Sequence, residues 1–330
     1  MGAEILGIGY HLPDKILNNK DLEKMLDTSE SWIVERTGIH ERRIADDNQA
    51  TSDLAFLAAQ NALSKANVDP MQLDLIICAT ATPDKLFPST ACILQDRLGA
   101  SNAAAFDLSA ACTGFIYALT VAEKFLSSPD HSYILIIGAE ALSKVLDYTE
   151  RNVSILFGDG AGAAVIGKSK GTDDNSILQS YIGSDGSGHG LLHLPAGGSA
   201  LPASNETIND RLHYMKMNGN EVFRFATKVM VDVSTKLLDM ANLKPEQVDL
   251  FIPHQANIRI IKTAMKRINI PEHKTFINID RCANMSAASI PVALAEAEER
   301  QLIKKGDILL LVGFGAGLTY GGTLLRWRGN

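Results

Sequence analysis

Cysteine is scarce in this chain: Cys78, Cys92, Cys112 and Cys282 are the only four in 330 residues. No two have CxxC spacing and four are too few for a disulfide scaffold, so the expected compartment is the reducing cytoplasm. No apolar run approaches the roughly 20 residues of a membrane-spanning helix. The start, MGAEILGIGY, has no basic stretch ahead of a long apolar core, so no signal peptide is expected. Positive charge is also in short supply. The 31 Lys and Arg against 38 Asp and Glu give a net charge of −7, which argues against nucleic acid as a partner. What is present is ordinary: 46% hydrophobic and 21% charged residues describe a globular chain rather than a disordered one. Its length suffices for a large core and suggests two domains or one large one.

Short apolar runs alternate with helical stretches, the pattern of a layered α/β fold. Leu73–Ala79, Ala103–Leu108 and Tyr133–Ile137 read as strands, and Leu54–Ala66, Thr90–Leu98 and Cys112–Leu126 as helices. Residues 170–215 turn rich in Gly, Ser, Asn and Asp and read as a connection or insertion. The second half then echoes the first. Asp74–Cys78 resembles Asp249–Pro253, and Gly158-Asp-Gly-Ala-Gly162 resembles Gly313-Phe-Gly-Ala-Gly317. Two repeated halves are expected, 1–170 and 171–330, with 171–215 as the connection. Cys112 and Asn284 would stand at equivalent strand-to-helix turns, and His254 after a strand of its own.

Small residues flank Cys112 in Asp107-Leu-Ser-Ala-Ala-Cys-Thr-Gly-Phe115. They allow a sharp strand-to-helix turn with the sulfur at a helix N-terminus, where the dipole and free N–H groups favour thiolate. A lone Cys in an apolar segment is more often a buried structural thiol, the reading given to Cys78 and Cys92. His254, alone, is as readily a core residue as a site residue, and Asn284, alone, is more often a helix cap than a site residue. Gly158–Ala163 fits G-x-G-x-x-A, but a nucleotide loop needs a following helix, and the β-prone Ala-Ala-Val-Ile follows instead. Tight turns between paired strands are the expected use of these glycines. His189 and His193 lack an evident third ligand, so no metal site is expected.

Four segments carry a resemblance: Ala110-Ala-Cys-Thr-Gly-Phe115, Phe157-Gly-Asp-Gly-Ala-Gly-Ala-Ala164, Pro253-His-Gln-Ala-Asn257 and Asn284-Met-Ser-Ala-Ala-Ser-Ile-Pro291. In content and order they resemble the β-ketoacyl-acyl-carrier-protein synthase III family, over residues 1 to 328. The resemblance implies a thiolase-like fold, two pseudo-repeated βα halves in five α-β-α-β-α layers. It implies a homodimer that condenses a short acyl-CoA, acetyl-CoA above all, with malonyl-acyl carrier protein and starts fatty-acid synthesis without a cofactor. Cys112 would carry the acyl group, and His254 and Asn284 would stabilise the enolate left by decarboxylation. The N–H groups of Cys112 and Ala316 would hold the oxyanion.

The same resemblance implies CoA contacts at Thr28, Trp32, Arg36 and Arg151. In the sequence itself, Asp27–Glu30 reads as a capped helix start that places Trp32 and Arg36 on one face. Phe87 would reach across the dimer to close the partner's acyl pocket, a bulky ring there implying a short primer. Leu142, Phe157, Met217 and Phe314 would line that pocket. Arg259, Lys262 and Lys266 share a helix face; with Arg224 and Arg267 they would receive the acidic carrier protein. Three departures from the family pattern lie beside the site. Cys282-Ala283 stands for His or Tyr followed by Gly, Met285 for Thr, and Ala316 interrupts a Gly-Gly-Gly run. They leave open a paralogue of specialised metabolism that uses another acyl acceptor.

Overall fold

The computed structural model describes residues 2–169 and 176–329. Two sheets organise it. Strands β1 (Ala3–His11), β2 (Leu75–Ala79), β3 (Ala104–Leu108), β4 (Tyr133–Glu140) and β5 (Gly160–Lys168) form the first, in the order β1-β5-β4-β2-β3. Strands β6 (Ile177–Ser184), β7 (Leu250–Pro253), β8 (Ile308–Gly315) and β9 (Thr319–Arg326) form the second, in the order β7-β8-β9-β6. In each sheet two antiparallel pairings are followed by a parallel one: β1/β5/β4/β2 matches β6/β9/β8/β7. The parallel partner β3 has only a vestige in the second sheet, a single bridge from Phe251 to Thr275.

Near-continuous apolar runs form these strands because both faces of each sheet are covered. On β2, Leu75, Ile77 and Ala79 face the interior between the sheets, whereas Ile76 and Cys78 face outward. On β8, Leu309 and Leu311 point inward and Leu310, Val312 and Phe314 outward. The inner faces clamp two helices, α4 (Gly114–Leu126) and α7 (Ser289–Glu299), which are apolar almost all round. Helices α2 (Thr51–Ala66) and α3 (Thr90–Leu98) cover the outside of the first sheet. Helices α5 (Gly219–Ala241) and α6 (Ile258–Ile268) cover the second. The result is the expected five-layer thiolase-like arrangement, in which each fully buried Leu or Ile contributes about 2 kcal/mol. No helix among the described residues is long and apolar enough to cross a membrane.

Local signals explain most boundaries. Helix α3 starts after Ser89, whose hydroxyl accepts from the Cys92 N–H, and ends at Gly99 in the left-handed conformation. Part of the segment expected as a connection is regular: Ile177–Ser184 is β6, paired along β9. Residues 170–175 of that segment lie outside the described residues. The glycines of Gly158–Gly162 do not make a tight turn. A Cβ at Gly160 would lie 2.7 Å from the Met285 sulfur, and one at Gly162 2.8 Å from the Val292 nitrogen, so they let β5 and its approach pack against residues 285–292. Only the second copy spans a turn between paired strands, from β8 to β9.

Candidate active site

Between β3 and α4 the chain makes a single 3-10 turn, Ala111–Thr113, with Ala111 at φ +45°. A second such turn, Ser286–Ala288, precedes α7 with Ser286 at φ +46°. The two turns match residue for residue, so the counterpart of Cys112 is Ala287, not Asn284 as the sequence repeat suggested. The sequence could not align them because non-glycine residues hold both left-handed positions. Cys112 is buried, 5% exposed. The turn from β8 to β9 lies against it: a Cβ at Gly315 would come within 2.6 Å of the Cys112 nitrogen. Thr319 Oγ1 stands 2.7 Å from Thr113 Oγ1 and 3.0 Å from the carbonyls of both Ala110 and Ala316. Ala316 has no left-handed φ, so its methyl group meets no backbone penalty in what is otherwise a glycine run.

Burial outweighs the helix terminus at the sulfur. The Cys112 thiol is pushed up to about 12 by desolvation, opposed by a hydrogen bond from Ser286. The expectation of a depressed pKa is therefore corrected: the resting group is a thiol. His254 follows β7, its N–H donating to the Val312 carbonyl at 2.8 Å. Its ring is fully buried against the Phe314 ring at 5.4 Å, and neither ring nitrogen has a partner among the described residues. Desolvation pulls its pKa down to about 3, so the imidazole is neutral. Asn284 is fixed by its main chain, whose N–H donates to the Leu156 carbonyl and whose carbonyl accepts from the Gly158 N–H. Its Oδ1 accepts from the Ser286 N–H at 2.8 Å, which settles the amide orientation and leaves Nδ2 a donor without a partner among the described residues.

Cys112, His254 and Asn284 all line one cavity of about 950 Å³. Phe157, Met217 and Phe314 line it too, whereas Leu142 stands behind them in a cluster with Val153 and Phe157. The cavity runs out to Trp32 and Arg36 on α1 (Glu30–Thr37). That helix is capped by Ser29, whose hydroxyl accepts from the Trp32 N–H at 3.2 Å. The guanidinium carbons of Arg36 and Arg151 lie 4.6 and 4.5 Å from the Trp32 ring centroid. Thr28 does not line the cavity; its buried hydroxyl has no partner among the described residues. Arg259 borders the cavity, and Lys262, Lys266 and Arg267 are exposed on α6, making no ion pair with the described residues. Arg224, by contrast, is paired with Glu221 at 2.9 Å. Phe87 is outside the cavity and 85% exposed. Asn218, Phe223 and Leu318 are cavity walls that no sequence pattern singled out.

The family model for 3-oxoacyl-[acyl-carrier-protein] synthase III matches residues 106–186, and its C-terminal model matches 238–327. A β-ketoacyl-[acyl-carrier-protein] synthase III of Syntrophomonas wolfei is 62% identical over 327 residues, 99% of this chain and 98% of that one. The chain belongs to this family. A synthase of the same name from Natranaerobius thermophilus is 55% identical, over 98% of this chain and 99% of that one. The crystal structure of the Aquifex aeolicus synthase III superposes with a TM-score of 0.90 at 47% identity, covering 99% of this chain and all of that one. Membership makes the protein an acyltransferase of the condensing type and its fold the thiolase fold.

Against the family pattern, the departures have local explanations. Cys282 is fully buried beside Met285, Ala288 and Val292, its thiol pushed up to about 12 by desolvation, and it packs as a hydrophobe. Met285 fills the space that Gly160 leaves open. Cys92 is exposed rather than buried, with its sulfur 3.6 Å from the Ala105 carbonyl. Ala283 is the costly one. Its φ of +56° and ψ of −159° lie in a region that suits glycine almost alone. Ala283→Gly is expected to stabilise the protein by about 1 kcal/mol, strain relief exceeding the loss of one methyl contact. Chemical denaturation measures this directly, and an unchanged or lower midpoint would refute it.

Proposed function

We propose that the protein transfers an acyl group from a short acyl-CoA, acetyl-CoA first among them, to Cys112. It then condenses that group with malonyl-acyl carrier protein to give 3-oxoacyl-acyl carrier protein, CoA and CO2. One observation carries the reading: a nucleophile, a neutral imidazole with both nitrogens unpartnered and an amide donor open on one cavity that leads to a Trp ring flanked by guanidinium groups. Cys112 attacks the thioester carbonyl, and the N–H groups of Cys112 and Ala316 donate to the developing oxyanion. Malonyl thioester then loses CO2. Neutral His254 and the Asn284 amide donate to the enolate oxygen and stabilise its charge. The carbanion attacks the acyl-Cys112 carbonyl and expels the sulfur.

The Trp32 ring and the Arg36 and Arg151 cations suit the adenine and phosphates of CoA. Trp32→Ala is accordingly expected to raise KM for acyl-CoA about tenfold with kcat little changed; a fall in kcat alone would refute that role. The α6 cations, Arg259 at the cavity mouth foremost, suit an acidic carrier protein. Phe87 and Leu86 are 85% and 81% exposed on the loop between β2 and α3, which supports a homodimer in which Phe87 closes the partner's pocket. The repeated strand order supports a division into halves at 170/171. A panel of acyl-CoAs, with malonyl-acyl carrier protein set against CoA and amine acceptors, tests the whole reading. Acylation by short primers and product on the carrier support it; product on another acceptor alone would replace it with an acyltransferase of different purpose.

A further inference from the structure

A chain of hydrogen-bonded polar side chains runs from the residue after His254 to the segment before Asn284. Gln255, wholly buried, donates from Nε2 to the Pro253 carbonyl at 2.8 Å and to the Phe276 carbonyl at 3.1 Å. Its Oε1 accepts from the Asn278 N–H at 3.2 Å, so both amide protons are used and the amide orientation is settled. Asn278, also wholly buried, donates from Nδ2 to Glu296 Oε2 at 2.9 Å. Glu296 is buried on α7 and accepts from Arg281 on both oxygens, from Nη1 at 2.7 Å on Oε1. Asn278 caps the single helical turn Ile279–Cys282, which contains Arg281 and stops just short of Asn284. None of the four side chains lines the cavity.

We propose that Gln255, Asn278, Glu296 and Arg281 are positioning residues that fix the distance between His254 and Asn284, and with it the rate of decarboxylation. The inference rests on the reading of those two side chains as donors to one enolate oxygen. Two donors serve one oxygen only while both stay within hydrogen-bond reach of it, and a misplacement of about 1 Å costs on the order of 10²-fold. A histidine ring is commonly aimed by a partner on its second nitrogen, but the His254 ring has none among the described residues. Its aim comes from the main chain instead. The His254 N–H is bonded to Val312, and the Gln255 amide grips the Pro253 carbonyl on the other side. Asn284 follows Ala283, whose φ of +56° is not a conformation that alanine keeps unaided. The Arg281–Glu296 pair ties the start of that bend to a core helix.

The chemistry of the chain favours placement over stability. A buried ion pair rarely stabilises a protein more than apolar side chains of the same volume, because both ions lose their hydration. Glu296 is nevertheless the one charged residue among those buried on α7. Its carboxylate reaches the Gln255 side through Asn278 and the Asn284 side through Arg281, so a single group holds both segments against the same helix. The Asn284 side chain supplies no such tie, since its Oδ1 bonds within its own turn to the Ser286 N–H.

Two variants test this. Gln255→Met keeps the volume and removes three hydrogen bonds, and Glu296→Gln keeps the shape and removes the ion pair. Acylation of Cys112 by acetyl-CoA and decarboxylation of malonyl-acyl carrier protein are measured separately, each per acylatable site so that misfolded protein is not counted. Gln255→Met is expected to lower kcat for decarboxylation about 30-fold and Glu296→Gln about tenfold. The acylation rate and KM for malonyl-acyl carrier protein should change by less than about threefold. Beside His254→Ala there is no spacing left to keep, and Gln255→Met should then cost less than about threefold. Equal loss of both half-reactions would show a merely structural role and overturn the proposal. Unchanged decarboxylation would overturn it too, as would the whole loss persisting beside His254→Ala. If Gln255→Met does not fold, the same comparison on Glu296→Gln decides. Absence of decarboxylation in the unmodified protein would instead overturn the enolate reading on which the inference rests.

Discussion

With Cys112 replaced by Ala, the acyl-enzyme is expected to disappear and condensation to fall by at least about 10⁴-fold. The size follows from what remains. The other three thiols offer no substitute: Cys78 and Cys282 are buried in packed clusters and Cys92 is outside the cavity. The Ala side chain keeps the turn, since its neighbours at Ala110 and Ala111 are equally small and Gly315 still abuts the main chain. Decarboxylation of malonyl-acyl carrier protein should survive in this variant, because the two donors assigned to the enolate are untouched. Acylation persisting in Cys112→Ala would place the nucleophile elsewhere. Intact-protein mass spectrometry and CO2 release read the two halves separately.

Removal of His254 or Asn284 should invert that pattern. Each variant, His254→Ala and Asn284→Ala, is expected to lose about 10²–10³-fold in decarboxylation while Cys112 still accepts the acyl group. The double variant should lose less than the product of the single losses, because the donors serve one oxygen as a unit. With His254 titrating at about 3, the imidazole is roughly 1% protonated at pH 5 and less above it. Decarboxylation should therefore show no inflection near pH 6.5. An inflection there that vanishes in His254→Ala would mean that the imidazole titrates during turnover and acts as an acid or base. Unaltered decarboxylation in either single variant would remove that residue from the enolate site.

Much of this was legible in the chain itself because it is locally consistent. Thr90–Leu98 has its Ser89 cap and its Gly99 stop, so its bounds can be read directly. Apolar runs such as Leu75–Ala79 signal strands covered on both faces. Cys112, His254 and Asn284 sit in segments distinctive enough to reveal the family, and the fold brings all three to one cavity. Other features have no local signature. Left-handed φ at Ala111, Ala283 and Ser286 is imposed by packing on residues that do not prefer it, so the repeat misaligned the two turns. β6 escaped because Gln179, Ser180 and Gly183 belong to an edge strand that is only half buried. The Cys112 pKa depends on how deeply the turn is buried, which no neighbour in sequence reports. Glu140 and the Ala287 N–H meet across 147 residues, one a strand end and the other in a turn, and only the folded chain makes them partners.

The most direct measurement is a pulse and chase through the acyl-enzyme. Protein acylated with labelled acetyl-CoA is freed of CoA and then given malonyl-acyl carrier protein. The prediction is that label leaves Cys112 and appears in 3-oxoacyl-acyl carrier protein, with one CO2 released per label transferred. Label that stays on the protein, or that leaves as free acid while CO2 is evolved, would contradict the two-step condensation.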